Sequence, residues 1–181
     1  MTAKNTSAKK AATKSRGRPP AKAPTVSTLS PSKQLDGFID KFEPDIAKLA
    51  RACRASMRRK LPTANELVYD NYQFLAIGYS ATERASDTLL SIAVGPSSVS
   101  LCFYYGAHLP DPQKILHGGG NQVRFYRVAS PKALDAPALL SMIRAADVHG
   151  RVSLPRLGKG QLIIKAISAK QRPRRPKARP A

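Results

Sequence analysis

The stretch from Glu66 to Tyr105 constrains the fold more than any other part of the chain. It holds four short runs rich in Val, Leu, Ile, Tyr and Phe, at 66–69, 72–78, 88–94 and 99–105. Asp70-Asn71, a polar break over Ser80–Asp87 and Gly95-Pro96-Ser97-Ser98 separate them. Apolar runs of this length, bounded by turn-forming residues, read as strands. Tyr69, Tyr72, Phe74 and Phe103 are aromatic positions suited to seeding a sheet. The last two runs, joined by the Gly-Pro-Ser-Ser turn, read as a hairpin. The spacing predicts an antiparallel sheet, completed by a strand over Gln122–Val128 after the Gly118-Gly119-Gly120-Asn121 turn.

Helical patterns flank this region. Leu35, Phe38, Ile39 and Phe42 recur at helical spacing. Glu43-Pro44-Asp45 then opens a second helix, with proline early and acids at the positive end of the dipole. Its apolar stripe is Ile46, Leu49, Ala50, Cys53, Met57 and Leu61, and Leu61-Pro62 ends it. Arg51, Arg54 and Arg58 share one face, joined by Arg59 and Lys60, as a solvated surface or as a second nucleic-acid contact. Asp135 is placed to cap a third helix, with Pro137 early and Leu139, Leu140, Ile143 and Ala146 inward. Beyond Gly150 the pattern is loop-like, except that 162–167 can pair as a late edge strand. The expected fold is α+β, an antiparallel sheet covered by helices on one face. The expected divisions are a basic tail at 1–33, a folded domain at 34–148 and a basic Pro/Arg-rich extension at 149–181.

Charge is distributed unevenly. The chain carries 31 Lys and Arg against 11 Asp and Glu, a net +20. Residues 1–34 hold eight bases and no acid, and residues 148–181 hold ten bases and no acid, so the ends carry +18. The middle is left at +2. Segregation of this kind points to DNA or another polyanion as partner. Residues 1–34 contain almost no large apolar side chains, so burial cannot offset ordering entropy and a disordered tail is expected.

Within that tail, Lys14-Ser15-Arg16-Gly17-Arg18-Pro19-Pro20-Ala21-Lys22 resembles an AT-hook. Gly17 allows close approach to a groove floor, Pro19 keeps the chain extended, and Arg16 and Arg18 can lie along a narrow, strongly negative A·T-rich minor groove. Ser15 stands where the motif usually has proline, and a generic polycation remains the other reading. Arg172, Arg174, Arg175, Lys177 and Arg179 make a second expected nucleic-acid-binding arm, extended and polyproline-like.

The centre of the chain resembles the YdhG-like domain family over about residues 34–148. The residues that carry the likeness are Leu35-Asp36-Gly37-Phe38-Ile39-Asp40, Glu43-Pro44, Tyr69-Asp70-Asn71-Tyr72 and Leu75-Ala76-Ile77-Gly78. Thr82 to Asp87 and Gly118-Gly119-Gly120-Asn121-Gln122-Val123-Arg124 complete it. The resemblance implies a frataxin-like fold in a family labelled as a domain of unknown function, some of whose members have been proposed as intracellular iron chaperones. Iron would need hard oxygen ligands, for which Asp36, Asp40, Glu43 and Asp45 are the candidates. Lys41, Lys48 and Arg51 crowd the same segment.

Catalytic motifs are missing. His117-Gly118-Gly119-Gly120 is like an esterase oxyanion run, but no GxSxG nucleophile elbow accompanies it. The glycines read as a turn, or beside Arg124 and Arg127 as an anion-binding nest. A small-ligand module built from Tyr69, Tyr72, Arg124 and Gly118–Gly120 is a further reading. His108, His117 and His149 lack metal-binding spacing. Cys53 and Cys102 sit in apolar patterns, as buried thiols in a reducing compartment would. The sequence reading is therefore a non-enzymatic cytoplasmic protein, nucleoid-associated if it binds DNA. It needs no cofactor unless iron is its cargo.

Overall fold

The computed structural model describes residues 29–175. Helix α1 (Pro31–Ile39) starts where the Ser30 hydroxyl accepts from the Lys33 amide at 3.4 Å, with Pro31 at its first position. Helix α2 (Pro44–Lys60) has Asp45 in its first turn and Arg58, Arg59 and Lys60 in its last, each complementing the helix dipole. Strands β1 (Asn65–Asp70), β2 (Leu75–Ser80), β3 (Thr88–Val94), β4 (Val99–Phe103) and β5 (Arg124–Val128) follow. Helix α3 (Pro137–Val148) and strand β6 (Leu162–Ile167) complete the fold.

The sheet has six strands in the order β5-β4-β3-β2-β1-β6. The first five form an antiparallel meander, as the turn residues predict. β6 pairs in parallel with β1, so the sheet is mixed and the expected all-antiparallel sheet is corrected. The cause is connectivity. β5 and β1 run in the same direction, and α3 carries the chain back before β6 begins. A crossover through a helix returns the next strand parallel to the last, and therefore parallel to β1.

The fold also continues past residue 148. Gly160 donates to the Pro62 carbonyl at 3.0 Å, and a Cβ at Gly160 would lie 1.7 Å from the Ala64 carbonyl oxygen. Only glycine permits that approach, and it starts β6 alongside β1.

Alternation sorts the strand residues onto two faces. One face presents Val68, Leu75, Ile77, Tyr79, Leu90, Ile92, Val94, Val99, Leu101 and Phe103, all buried in one cluster with residues of α1, α2 and α3. Each fully buried aliphatic or aromatic side chain there contributes roughly 1.5–3 kcal/mol. The registers Tyr69–Ala76–Ala93–Ser100–Arg127 and Leu67–Gly78–Ser91–Cys102–Phe125 run across the other face. Helices α1, α2 and α3 all contribute to the first face, which leaves the second without a helix: Leu67, Gly78 and Ser91 on it are buried, while Tyr69, Ala76, Ala93, Ser100, Cys102 and Phe125 are half-exposed.

Two local expectations change. Asp70 is not a turn residue but the buried last residue of β1, and the turn closes from Asn71 to Phe74 with a 3.1 Å bond. Asp135 does not cap α3. Ala136 precedes that helix, and the Asp135 carboxylate pairs with Lys60 of α2 instead.

Candidate nucleic-acid-binding surface

Two acids in β1, Glu66 and Asp70, fall on the helix-covered face with Val68 between them. A carboxylate buried among apolar residues must find cations and hydrogen-bond donors. Glu66 accepts from Arg54 at 2.9 and 2.7 Å and from Arg58 at 2.8 Å, and Tyr79 donates to it at 3.3 Å. Burial first, then the neighbouring Glu66 charge, pushes the Tyr79 phenol well above its usual range. The arginine face of α2 is thus neither simply solvated nor free for nucleic acid. Arg54 and Arg58 reach inward to Glu66, Arg51 pairs with Asp40 at 2.5 Å, and Lys60 pairs with Asp135.

Asp70, with no exposed surface, is the centre of a second knot. It accepts from Lys41 at 2.5 Å, Gln171 at 2.6 Å and Arg174 at 2.9 Å. Arg174 is 4% exposed, and its guanidinium lies 5.4 Å from the Phe42 ring centroid and also donates to the Asn71 carbonyl. Arg175 donates to the carbonyls of Phe42 and Asp40 at 3.2 and 3.1 Å. The Arg172 amide bonds the Tyr72 carbonyl at 2.8 Å. Residues 168–175 therefore strap the β1 end of the sheet. This corrects the expected extended arm at Arg174, whose charge is directed into the fold, while Arg175 stays exposed and bonds only neutral carbonyls. Arg172 keeps a side chain with no carboxylate partner among the described residues. Lys14, Arg16, Gly17, Arg18, Pro19, Lys22, Lys177 and Arg179 lie outside the described residues.

The other sequence candidates do not converge. Arg124 donates to the carbonyls of Gly119 at 3.1 Å, Gly120 at 2.9 Å and Val123 at 2.9 Å, so its charge braces the glycine loop. Gly118 and Gly120 have φ of +113° and +83°, the reason glycine stands at both. Tyr69 and Arg124 lie on β1 and β5, four strand spacings or about 19 Å apart, which separates the proposed small-ligand set. Asp36, Asp40, Glu43 and Asp45 do not form a ligand cluster. Among the described residues no group of three or more His, Cys, Asp or Glu is placed to hold a metal ion.

What remains unspent is positive charge. After Val148 there is no acid. Arg151, Arg156, Lys159, Lys165, Lys170, Arg172 and Arg175 have no ion-pair partner among the described residues. Arg156 lines a cleft of about 620 Å³ with Lys60, Arg144 and the apolar Leu61, Ile143 and Leu154. On the open sheet face, the small residues Ala76, Gly78, Ser91, Ala93, Ser100 and Cys102 form a floor across β2, β3 and β4. Larger side chains stand at its flanks: Tyr69 on β1, and Phe125 and Arg127 on β5. His117 pairs with the outer edge of β5 and tilts its ring against Phe125 at 5.8 Å. Tyr104 continues β4, its amide bonding the Leu89 carbonyl at 3.0 Å. Burial chiefly, with added repulsion from Tyr69 and Cys102, pushes its phenol up.

Sequence reasoning missed both carboxylate knots. A signal was present: acids at alternate positions flanking Val68 in a strand must share the apolar stripe's face.

No family model, curated protein or solved structure matches the chain. The YdhG-like resemblance therefore rests on the sequence pattern alone. No helix among the described residues is long and apolar enough to cross a membrane.

Proposed function

We propose that this chain is a non-enzymatic DNA-binding protein, in which an α+β domain carries cationic segments that neutralise phosphates. The observation that carries the reading is the separation of charge: eighteen net positive charges at the two ends and two in the middle. The fold adds support. Its buried strand acids, Glu66 and Asp70, are consumed internally by Lys41, Arg54, Arg58 and Arg174, while seven cations of the described residues after Val148 are left without carboxylate partners. Arg16 and Arg18, set around Gly17 and followed by Pro19, supply a preference for A·T-rich minor grooves. The domain itself is read as YdhG-like and frataxin-like. Helices on one sheet face and a five-strand antiparallel meander support that reading. The corresponding location is the cytoplasm, in association with the nucleoid.

The test is binding of the full chain to labelled A·T-rich and G·C-rich duplexes, alongside Arg16→Ala with Arg18→Ala. The variant is expected to lose the A·T preference and keep most nonspecific affinity. An unchanged preference would refute the minor-groove role. Absence of duplex binding by the parent chain at 50 mM salt would refute the function.

A further inference from the structure

Antiparallel sheets commonly leave one face wet, but wet faces are usually polar. This one is not. Its floor is small and its flanks carry aromatic rings: Tyr69, Tyr104, Phe125 and the exposed His117. Among the described residues the only strand acids, Glu66 and Asp70, are turned to the opposite face and buried. Two exposed cations stand at opposite sides of the open face. Arg127 lies on β5, and Lys165 lies at the β6 bulge beside Tyr69. Neither has an ion-pair partner among the described residues.

We propose that this open face is a binding platform for single-stranded nucleic acid, with bases stacked on Tyr69, Tyr104 and Phe125–His117 and phosphates held by Arg127 and Lys165. The proposal rests on the nucleic-acid reading above for its choice of polyanion, and goes beyond it in site and strandedness. Charge complementarity selects the occupant, since an aromatic face whose strands turn no acid toward it and that is flanked by cations matches a ligand offering both π-faces and phosphates. A second apolar protein surface would gain nothing from the flanking charges. The half-exposed floor residues Ala76, Ala93, Ser100 and Cys102 let flat bases approach the sheet, and the roughly 19 Å from β1 to β5 spans the two or three bases that aromatic sheet platforms hold. Duplex DNA keeps its bases stacked inside and offers this face only phosphates. Single strands gain the stacking as well.

The test uses the full chain with a fluorescein-labelled 15-nucleotide oligo-dT and a duplex of equal length. Arg127→Glu with Lys165→Glu changes only exposed, unpaired side chains. Phe125→Leu with Tyr69→Leu removes rings while keeping apolar bulk, and circular dichroism checks that both variants are folded. Each pair is expected to weaken oligo-dT binding about tenfold or more, with the aromatic pair leaving duplex affinity nearly unchanged. Photo-crosslinking with iodouracil-substituted oligonucleotide is expected to label peptides containing Tyr69, Tyr104 or Phe125. Unchanged oligo-dT affinity in both variants, or crosslinks confined to residues 1–28 and 176–181, would overturn the platform while the tails still bound duplex. Loss of all binding by the parent chain would overturn the function itself.

Discussion

Asp70→Ala tests the strap most severely. The substitution removes a carboxylate with no exposed surface and leaves three donors, from Lys41, Gln171 and Arg174, without it. Lys41 is about one-third exposed and can turn to water, whereas Arg174 at 3% side-chain exposure cannot while the strap stays docked. An uncompensated buried charge costs about 3–5 kcal/mol. The strap is near the chain's end, however, so it can release and rehydrate Arg174. Release caps the loss at the strap's own docking free energy. Its charge-assisted hydrogen bonds, about 1.5–3 kcal/mol each, are largely offset by about 1–2 kcal/mol of ordering entropy per residue. A net loss of about 3 kcal/mol is expected, lowering Tm by about 6–12 °C in a chain of this size.

Thermal unfolding by circular dichroism measures that loss. Trypsin reports the release, by cutting after Lys170 and Arg174. Arg174→Ala should then cost almost nothing further in the Asp70→Ala background. A Tm change under about 2 °C, an unchanged cleavage pattern, or additive effects of the two substitutions would refute the account of the strap.

Three more outcomes are expected. Glu66→Gln should destabilise the fold by about 3–5 kcal/mol in urea titrations, because Arg54 and Arg58 lose their buried counter-charge, and a loss below about 1 kcal/mol would contradict that. Burial pushes the thiols of Cys53 and Cys102 from 9.0 up to about 11. The unfolded chain therefore releases these protons first. Their stabilising effect is complete below about pH 9 and lost as the pH rises from 9 to 11. The Cys53→Ala/Cys102→Ala protein should show a shallower alkaline fall in urea midpoint than the parent, and parallel curves would contradict it. Ferrous iron at tens of micromolar should leave the spectrum and Tm unchanged. Saturable binding abolished by Asp36→Ala with Asp40→Ala would replace this account with iron delivery.

Much of the fold was legible in local chemistry. Pro44 and Pro62 bracket α2, and Gly95-Pro96 turns β3 into β4, because these residues act on their own backbone. The hairpin's register follows from its short turn. The direction of β6 was not legible. It depends on where α3 delivers the chain, and Leu162–Ile167 reads the same in either orientation. Arg174 and Asp135 misled for a related reason. A basic residue in a Pro/Arg run looks solvated, and an acid before Pro137 looks like a cap, until distant Asp70 and Lys60 are brought alongside. The open face was half visible, since Tyr69 was plain as a strand aromatic and Gln122–Val128 as a strand. That Tyr69 and Phe125 share a face required the strand pairing.

The central claim is that this chain binds polyanions by charge. Its most direct test is the salt dependence of full-chain binding to a duplex between 50 and 200 mM. Neutralising about six phosphates predicts a log–log slope near −5, and a loss of affinity of about a thousandfold across that range. A slope near zero, whatever the affinity, would contradict the claim.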